Sequence, residues 1–406
     1  MSALLLKNGR FVLPDEVTEP QNLLIRDEIV FKIGAEDCGE ESIDVKGGYV
    51  FPGFVDIHIH GGADFMDGTA EAFETAVRAH LKRGTTTLVP TAMTATHSEL
   101  VGFINAYHSF KKHSKYSDAA VGLHLEGPYF SNTDKSSKGA QSGNLIRDIS
   151  FAEIAELLDT ADGSIIRWDA APEIPNSAKF AEICKENNII CAAAHTNATA
   201  AEAQRGFDAG FSHITHFYNA VTAYKKRGQK VTAGVVEAAY LNDGVTLELI
   251  CDGRHVPKEC VQLALKIKGE KKVCGITDAT RISCTDMKCG KLGSLKNGTE
   301  VIVDDGVAKL PDMSSYAGSI CTMDRALKVL CVDYGIGILT AAKMLSSNPA
   351  ALINEENIGR IKEGFFADLV ITDNNFNVKT VIKRAGLQSD TAAAQAARHT
   401  RSFKKR

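Results

Sequence analysis

The sequence predicts a (β/α)8 TIM-type barrel with a small β-sandwich domain formed by the N- and C-terminal segments. Three observations carry that expectation. From about residue 50, short apolar runs alternate with helix-patterned stretches, and eight such runs occur before residue 280. Histidines and carboxylates gather where those runs end, as they do at the mouth of a barrel. The two flanks instead show brief alternating pieces separated by turns, the mark of half-buried strands.

The expected barrel strands are Val50–His60, Thr85–Thr94, Ala119–Glu126, Ile165–Pro172, Ile189–His195, Phe211–His216, Val245–Asp252 and Lys272–Asp278. Helices fall between them. Glu71–Arg83 places Phe73, Val77 and Leu81 four residues apart and meets Gly84 as a stop. Thr199-Ala-Ala-Glu202 is a capping box whose helix ends at Gly210, and Asn176 is placed to cap Ser177–Asn187. A doubly wound open sheet fits less well, because no strand is followed by a Gly-rich dinucleotide loop. The barrel spans residues 51–348, flanked by the two parts of the small domain, 1–50 and 349–384. Its pieces are Leu4–Lys7, Asn22–Ile25, Ile29–Ile33 and Ser42–Val45, then Asp368–Thr372 and Asn377–Lys383. Residues 385–406 are polar, alanine-rich and finally basic, and read as a disordered tail.

Composition excludes several classes of function. The chain has 406 residues, 44% hydrophobic and 24% charged, with a formal charge of −4, so neither nucleic acid nor a membrane surface has an electrostatic case. The start is too short an apolar run for a signal peptide, and no stretch reaches membrane-spanning length. Ten cysteines form no framework; Cys191, Cys251 and Cys274 lie inside apolar runs, which fits a reduced, cytoplasmic protein. Cys284 and Cys289 lack the spacing of a zinc knuckle.

The chemistry lies at the strand ends. His58 and His60 are two apart on a strand, so both rings face one spot. Glu126, His195, His216 and Asp278 stand at the ends of other runs, with Asp252 and His255 close after another. His124 and His213 read as packed or supporting groups. Any one of these is ordinary, but burying so many titratable groups without a shared cation is costly. Imidazole plus carboxylate, with no thiolate cluster, suits Zn, Fe, Mn or Co. Such a cation lowers the pKa of bound water from about 15.7 toward roughly 7, and a nearby carboxylate such as Asp278 can move the proton, which points to hydrolysis of an amide or ester.

These motifs resemble the N-acetylglucosamine-6-phosphate deacetylases of the amidohydrolase superfamily over roughly residues 1–382. The resemblance rests on Pro52-Gly-Phe-Val-Asp-Ile-His-Ile-His-Gly-Gly62, His124-Leu-Glu-Gly-Pro128, Thr215-His-x-Tyr-Asn-Ala220, Asp252-Gly-x-His255, Thr277-Asp-Ala-Thr280, Ala317-Gly-Ser319 and Asn348-Pro-Ala350. It implies that Glu126, His195 and His216 hold one divalent metal, and that His58 and His60, with Glu126 and Asp278, hold a second, giving one or two ions. It further implies Asp278 as general base and then acid, and His255 as the group that polarises the acetyl carbonyl or fixes the sugar. Asn219 and the Ala220 backbone would contact the phosphate, joined by Arg227 across the interface of a homodimer. Two loops that touch the sugar or phosphate in the family depart from its pattern. Lys138-Gly-Ala140 is followed by Gln141 where the family has His, and Val221–Gln229 carries the basic trio Lys225, Lys226 and Arg227. The implied reaction is deacetylation of GlcNAc-6-phosphate. GalNAc-6-phosphate, another N-acyl or cyclic amide, and a non-catalytic sugar-phosphate-binding barrel are the alternatives.

Overall fold

The computed structural model describes residues 3–384 together with 386 and 387. They fall into two units, one drawn from Met1–Asp56, Ala79–Thr87 and Met323–Arg406, the other from Ile57–Arg78 and Leu88–Thr322. Eight strands occupy the expected barrel positions: β1 Phe54–Ile59, β2 Thr85–Ala92, β3 Leu123–Tyr129, β4 Ile165–Ala170, β5 Ile190–Ala193, β6 His213–Ile214, β7 Thr246–Ile250 and β8 Val273–Ile276. They lie side by side in chain order, and the pairings from β2 through β8 are parallel. The ring nearly closes where Ile59 pairs with Ala279 and the Asp278 N–H donates to the His58 carbonyl at 3.0 Å.

The strand compositions explain this arrangement. Every residue of β1, β2 and β3 is buried, as expected where helices cover one face and barrel side chains the other. The connecting helices show the predicted stripes. Phe73, Val77 and Leu81 are buried on Ala70–Leu81, and Gly84 follows at φ +94°, a conformation open to glycine. Thr199 and Glu202 form both halves of a capping box on Ala200–Ala209.

Several expectations change. Val50–His60 is two strands rather than one. Tyr49–Pro52 joins the terminal sheet, pairing with Leu369–Thr372, while β1 starts at Phe54. Gly53 makes the switch: a Cβ there would lie 2.0 Å from Thr86 Oγ1. The Ala119–Glu126 run begins as a 3-10 turn over Ser117–Ala119 and becomes strand only at Leu123. Asn176 precedes its helix but does not cap it through its side chain, because it sits at φ +67° instead of in the extended conformation of a capping residue. A three-stranded sheet (Cys289–Leu292, Thr299–Asp304, Val307–Lys309) follows β8 where the sequence suggested no elements.

The terminal segments form a mixed sheet. Ala3–Phe11 serves both halves: Leu4–Lys7 pair with Glu41–Asp44, and Arg10 and Phe11 pair with Tyr49 and Val50. Leu6, Leu23 and Ile25 from one half meet Val50, Leu369 and Ile382 from the other in one apolar cluster. The shared strand Ala3–Phe11 thus lets both halves of this mixed sheet contribute to one core. The expected disordered tail lies outside the described residues except for Gly386–Leu387, which pair antiparallel with Val378–Lys383. All ten cysteines are free thiols. No helix among the described residues is long and apolar enough to cross a membrane.

Candidate metal centre and active site

The carboxyl ends of β1, β3, β5, β6 and β8 bring six side chains together in two trios: His58, His60 and Asp278, and Glu126, His195 and His216. All six are buried. Glu126 joins the trios. Its Oε1 lies 2.9 Å from His195 Nε2 and 3.1 Å from His216 Nε2, and its Oε2 lies 3.3 Å from His60 Nε2. Asp278 Oδ1 stands 3.2 Å from His60 Nε2 and 3.5 Å from His58 Nε2.

The donor set fits divalent cations. Each ring has its Nδ1 against an acceptor: His58 on Glu248 (2.7 Å), His60 on the Thr91 carbonyl (3.2 Å), His195 on that of Ser137 (2.9 Å), and His216 on that of Asn219 (3.0 Å). A neutral imidazole carries one proton, so each Nε2 turns a lone pair inward. Those lone pairs meet one another at 3.3 Å (His58 and His60) and 3.1 Å (His195 and His216). A tetrahedron with metal–nitrogen bonds near 2.05 Å has an edge of about 3.3 Å, so these spacings suit such an ion. Burial pushes the His60 imidazole down, but its hydrogen bonds to the Asp278 and Glu126 carboxylates outweigh that and carry its pKa to about 9. Positive charge is strongly favoured at that point, whether as a proton or as a metal.

The carboxylates are ionised. Burial raises both, yet His195 and His216 hold Glu126 well below the usual range, and His58 and His60 hold Asp278 below it. Asp278 is therefore able to take a proton. Backbone strain marks the same residues: His195, His216 and Asp278 have φ of +44°, +30° and +49°. Each such residue costs on the order of 1–3 kcal/mol. Two are tied down through their N–H groups, His216 to Glu248 (2.9 Å) and Asp278 to the His58 carbonyl.

A small pocket of about 140 Å³ opens beside this cluster. His60, Glu126, His195, His216 and Asp278 line it together with Gln141, Asn219, Ala220 and His255. His58 is fully buried. Gln141 accepts from the Thr94 N–H through Oε1 at 3.1 Å, which leaves its Nε2 3.4 Å from His195 Nε2. The Asn219 Nδ2 is buried without a hydrogen-bond partner among the described residues. The His255 Nδ1 contacts Asp252 at 2.7 Å. Arg227 lies on a short hairpin, in Lys225–Arg227, with its backbone opposite Lys230. Tyr316 packs against His255 with the rings tilted by 56° and their centroids 4.8 Å apart, and Leu292 lines the same pocket. Arg281 ties that wall in place, donating to Asp67 twice at 2.7 Å and to the Lys291 and Gly293 carbonyls.

The sequence reading missed the layer beneath. Arg167, Asp169 and Glu248 are fully buried, and Arg167 donates to both carboxylates. Burial raises Glu248, and the Arg167 and His58 charges reverse that, holding it well below the usual range. His124 contacts Asp169 (2.9 Å) and His213 contacts Glu248 (3.2 Å). The available signal was a charge in mid-strand: Arg167 and Asp169 alternate inside one apolar run, and Glu248 sits inside another.

Residues 49–387 match the amidohydrolase family, and the chain belongs to it. It is 31% identical to the N-acetylglucosamine-6-phosphate deacetylase of Lysinibacillus sphaericus, covering 87% of this chain and 89% of that one. It is 27% identical to the N-acetylgalactosamine-6-phosphate deacetylase of Escherichia coli O157:H7, over 81% and 85% of the two chains. An N-acetyl-D-glucosamine-6-phosphate deacetylase variant from Mycobacterium smegmatis, solved with N-acetyl-D-glucosamine-6-phosphate, superposes with a TM-score of 0.86 at 26% identity. That match covers 96% of this chain and 100% of that one.

Proposed function

We propose that this protein hydrolyses the acetamido group of an N-acetylhexosamine 6-phosphate, with GlcNAc-6-phosphate as the substrate, releasing acetate and the amino-sugar phosphate. The observation that carries the reading is the convergence of an ionised Asp278 with Glu126, His195 and His216 at one pocket. Glu126, His195 and His216 would hold one ion, and His58, His60 and Asp278, with Glu126 shared, a second. Zn, Fe, Mn and Co all suit these donors. When bound, such an ion polarises the acetyl carbonyl and acidifies water.

The chain's own residues supply the remainder. Asp278 takes a proton from the attacking water. It then delivers that proton to the sugar nitrogen as the C–N bond breaks, so acid and base are one group. Gln141, with its oxygen held by the Thr94 N–H, presents amide protons to the acetamido oxygen. His255, steadied by Asp252, fixes the sugar. The unpartnered Asn219 amide and the Ala220 backbone receive the phosphate. Arg227 completes phosphate binding from the second subunit of a homodimer, with charge-assisted hydrogen bonds. The hydrolase barrel is assigned to 51–348, and the protein to the cytoplasm.

GalNAc-6-phosphate is the second reading, favoured by the relative of that specificity. The test is acetate release from N-acetylglucosamine and N-acetylgalactosamine, each with and without 6-phosphate, by protein of measured metal content. Turnover of GlcNAc-6-phosphate well above the other three supports the first reading. Equal turnover of unphosphorylated sugars overturns the phosphate assignment.

A further inference from the structure

Glu248 lies in the middle of β7 and is fully buried. Its Oε1 meets His58 Nδ1 at 2.7 Å and accepts from the His216 backbone N–H at 2.9 Å. Arg167 clamps the other side, reaching Oε2 through Nη1 and Oε1 through Nη2 at 3.1 Å. Arg167 is itself held by Asp169 at 3.2 Å and by Thr215 Oγ1 at 2.6 Å. One carboxylate thus touches a member of each trio, the ring of His58 and the backbone of His216.

We propose that Glu248, clamped by Arg167, is the positioning residue that makes His58 a metal ligand through Nε2. The inference rests on the two-ion reading above. Its logic is a proton count. An ionised carboxylate only accepts, so the His58 Nδ1 facing it must carry the ring's proton, and Nε2 keeps its lone pair for a cation. An amide at position 248 breaks this arrangement. In Glu248→Gln, one oxygen must serve both the Arg167 side and the His58 side. If the NH2 turns to His58, the ring proton shifts to Nε2 and closes it to metal. If it turns to Arg167, donor faces donor. Losing such an outer partner typically costs about 10–100-fold in metal affinity.

The experiment strips full-length protein with a chelator and titrates it with Zn²⁺, reading stoichiometry by calorimetry and elemental analysis. The wild type should bind two ions. Glu248→Gln should bind one with affinity within about threefold of wild type and the other about 10–100-fold more weakly, reproducing His58→Gln. Two ions at wild-type affinity, or equal weakening of both, overturns the positioning role. A second measurement needs no variant: ¹⁵N NMR of histidine-labelled, Zn²⁺-loaded wild type should show the His58 proton on Nδ1. A proton on Nε2 overturns the inference. A wild type that binds one ion overturns the two-ion reading, and the His58 tautomer then still decides whether Glu248 orients that ring.

Discussion

The Nε2 atoms of His195 and His216 face each other at 3.1 Å with their rings crossed at 88°. Each ring is fixed by a backbone carbonyl at Nδ1, so neither can rotate away without losing that bond. Two lone pairs held this close favour a cation between them. Chelation should therefore lower the melting temperature, and restoring Zn²⁺ or Mn²⁺ should recover it. An ion present at 100 times its Kd contributes about 2.7 kcal/mol, roughly 3 °C in melting temperature for a chain of this size. Scanning calorimetry checks this, and an unchanged transition in chelator would remove the case for a resident metal.

Asp278 is held as a carboxylate by His58 and His60 although it is buried. Asp278→Asn keeps the shape and removes the proton acceptor. The expected result is a fall in kcat of about 10²–10⁴-fold, with the ion at Glu126, His195 and His216 retained. Steady-state kinetics with elemental analysis on the same sample decide it. A kcat within tenfold of wild type would favour a binding protein over an enzyme.

The inner ring of the site was legible because its residues end apolar runs. His58 and His60 share a face by strand geometry alone, Glu126 sits within β3 and Asp278 follows the end of β8. The layer beneath was not legible, for a physical reason. A charge is buried only with its partner, and the partner of Glu248 is Arg167, 81 residues away on another strand. Local pattern carries no trace of that pairing. The same limit hid the division of Val50–His60, since an apolar run does not state which sheet it joins. Only Gly53 marks the switch. At Asn176 the residue type suited a cap, but its φ of +67° comes from the turn before it.

Arg227 belongs to a hairpin that also carries Lys225 and Lys226. If it grips phosphate in ground and transition states alike, Arg227→Ala should raise KM about 10- to 100-fold and leave kcat within about threefold, since hydrogen bonds to charged groups contribute about 1.5–3 kcal/mol. Mixing this variant with inactive Asp278→Asn subunits tests action across a dimer. Partial recovery of low KM in the mixture supports it, and a kcat effect alone contradicts a phosphate role.

Glu153 offers a pH test away from the metal. It lies in the first turn of Phe151–Ala161 and receives Arg147 at both oxygens, at 2.9 and 2.6 Å, with the Tyr129 hydroxyl at 3.0 Å. Burial raises its carboxyl, but Arg147 more than compensates, so the folded value lies below the ordinary 4.5. A carboxylate whose folded pKa is depressed adds stability that is complete above the unfolded value. That contribution is lost as pH falls through the folded one. Glu153→Gln should therefore melt below wild type at pH 7, and the gap should shrink as pH drops below about 4.5. Comparing the two proteins cancels the titration of shared groups that do not touch Glu153; His97, whose Nδ1 lies 3.3 Å from it, does. Melting curves from pH 7 to the lowest pH at which both still fold give the answer, and a gap that stays constant across that range would mean the pair adds no ionic stability.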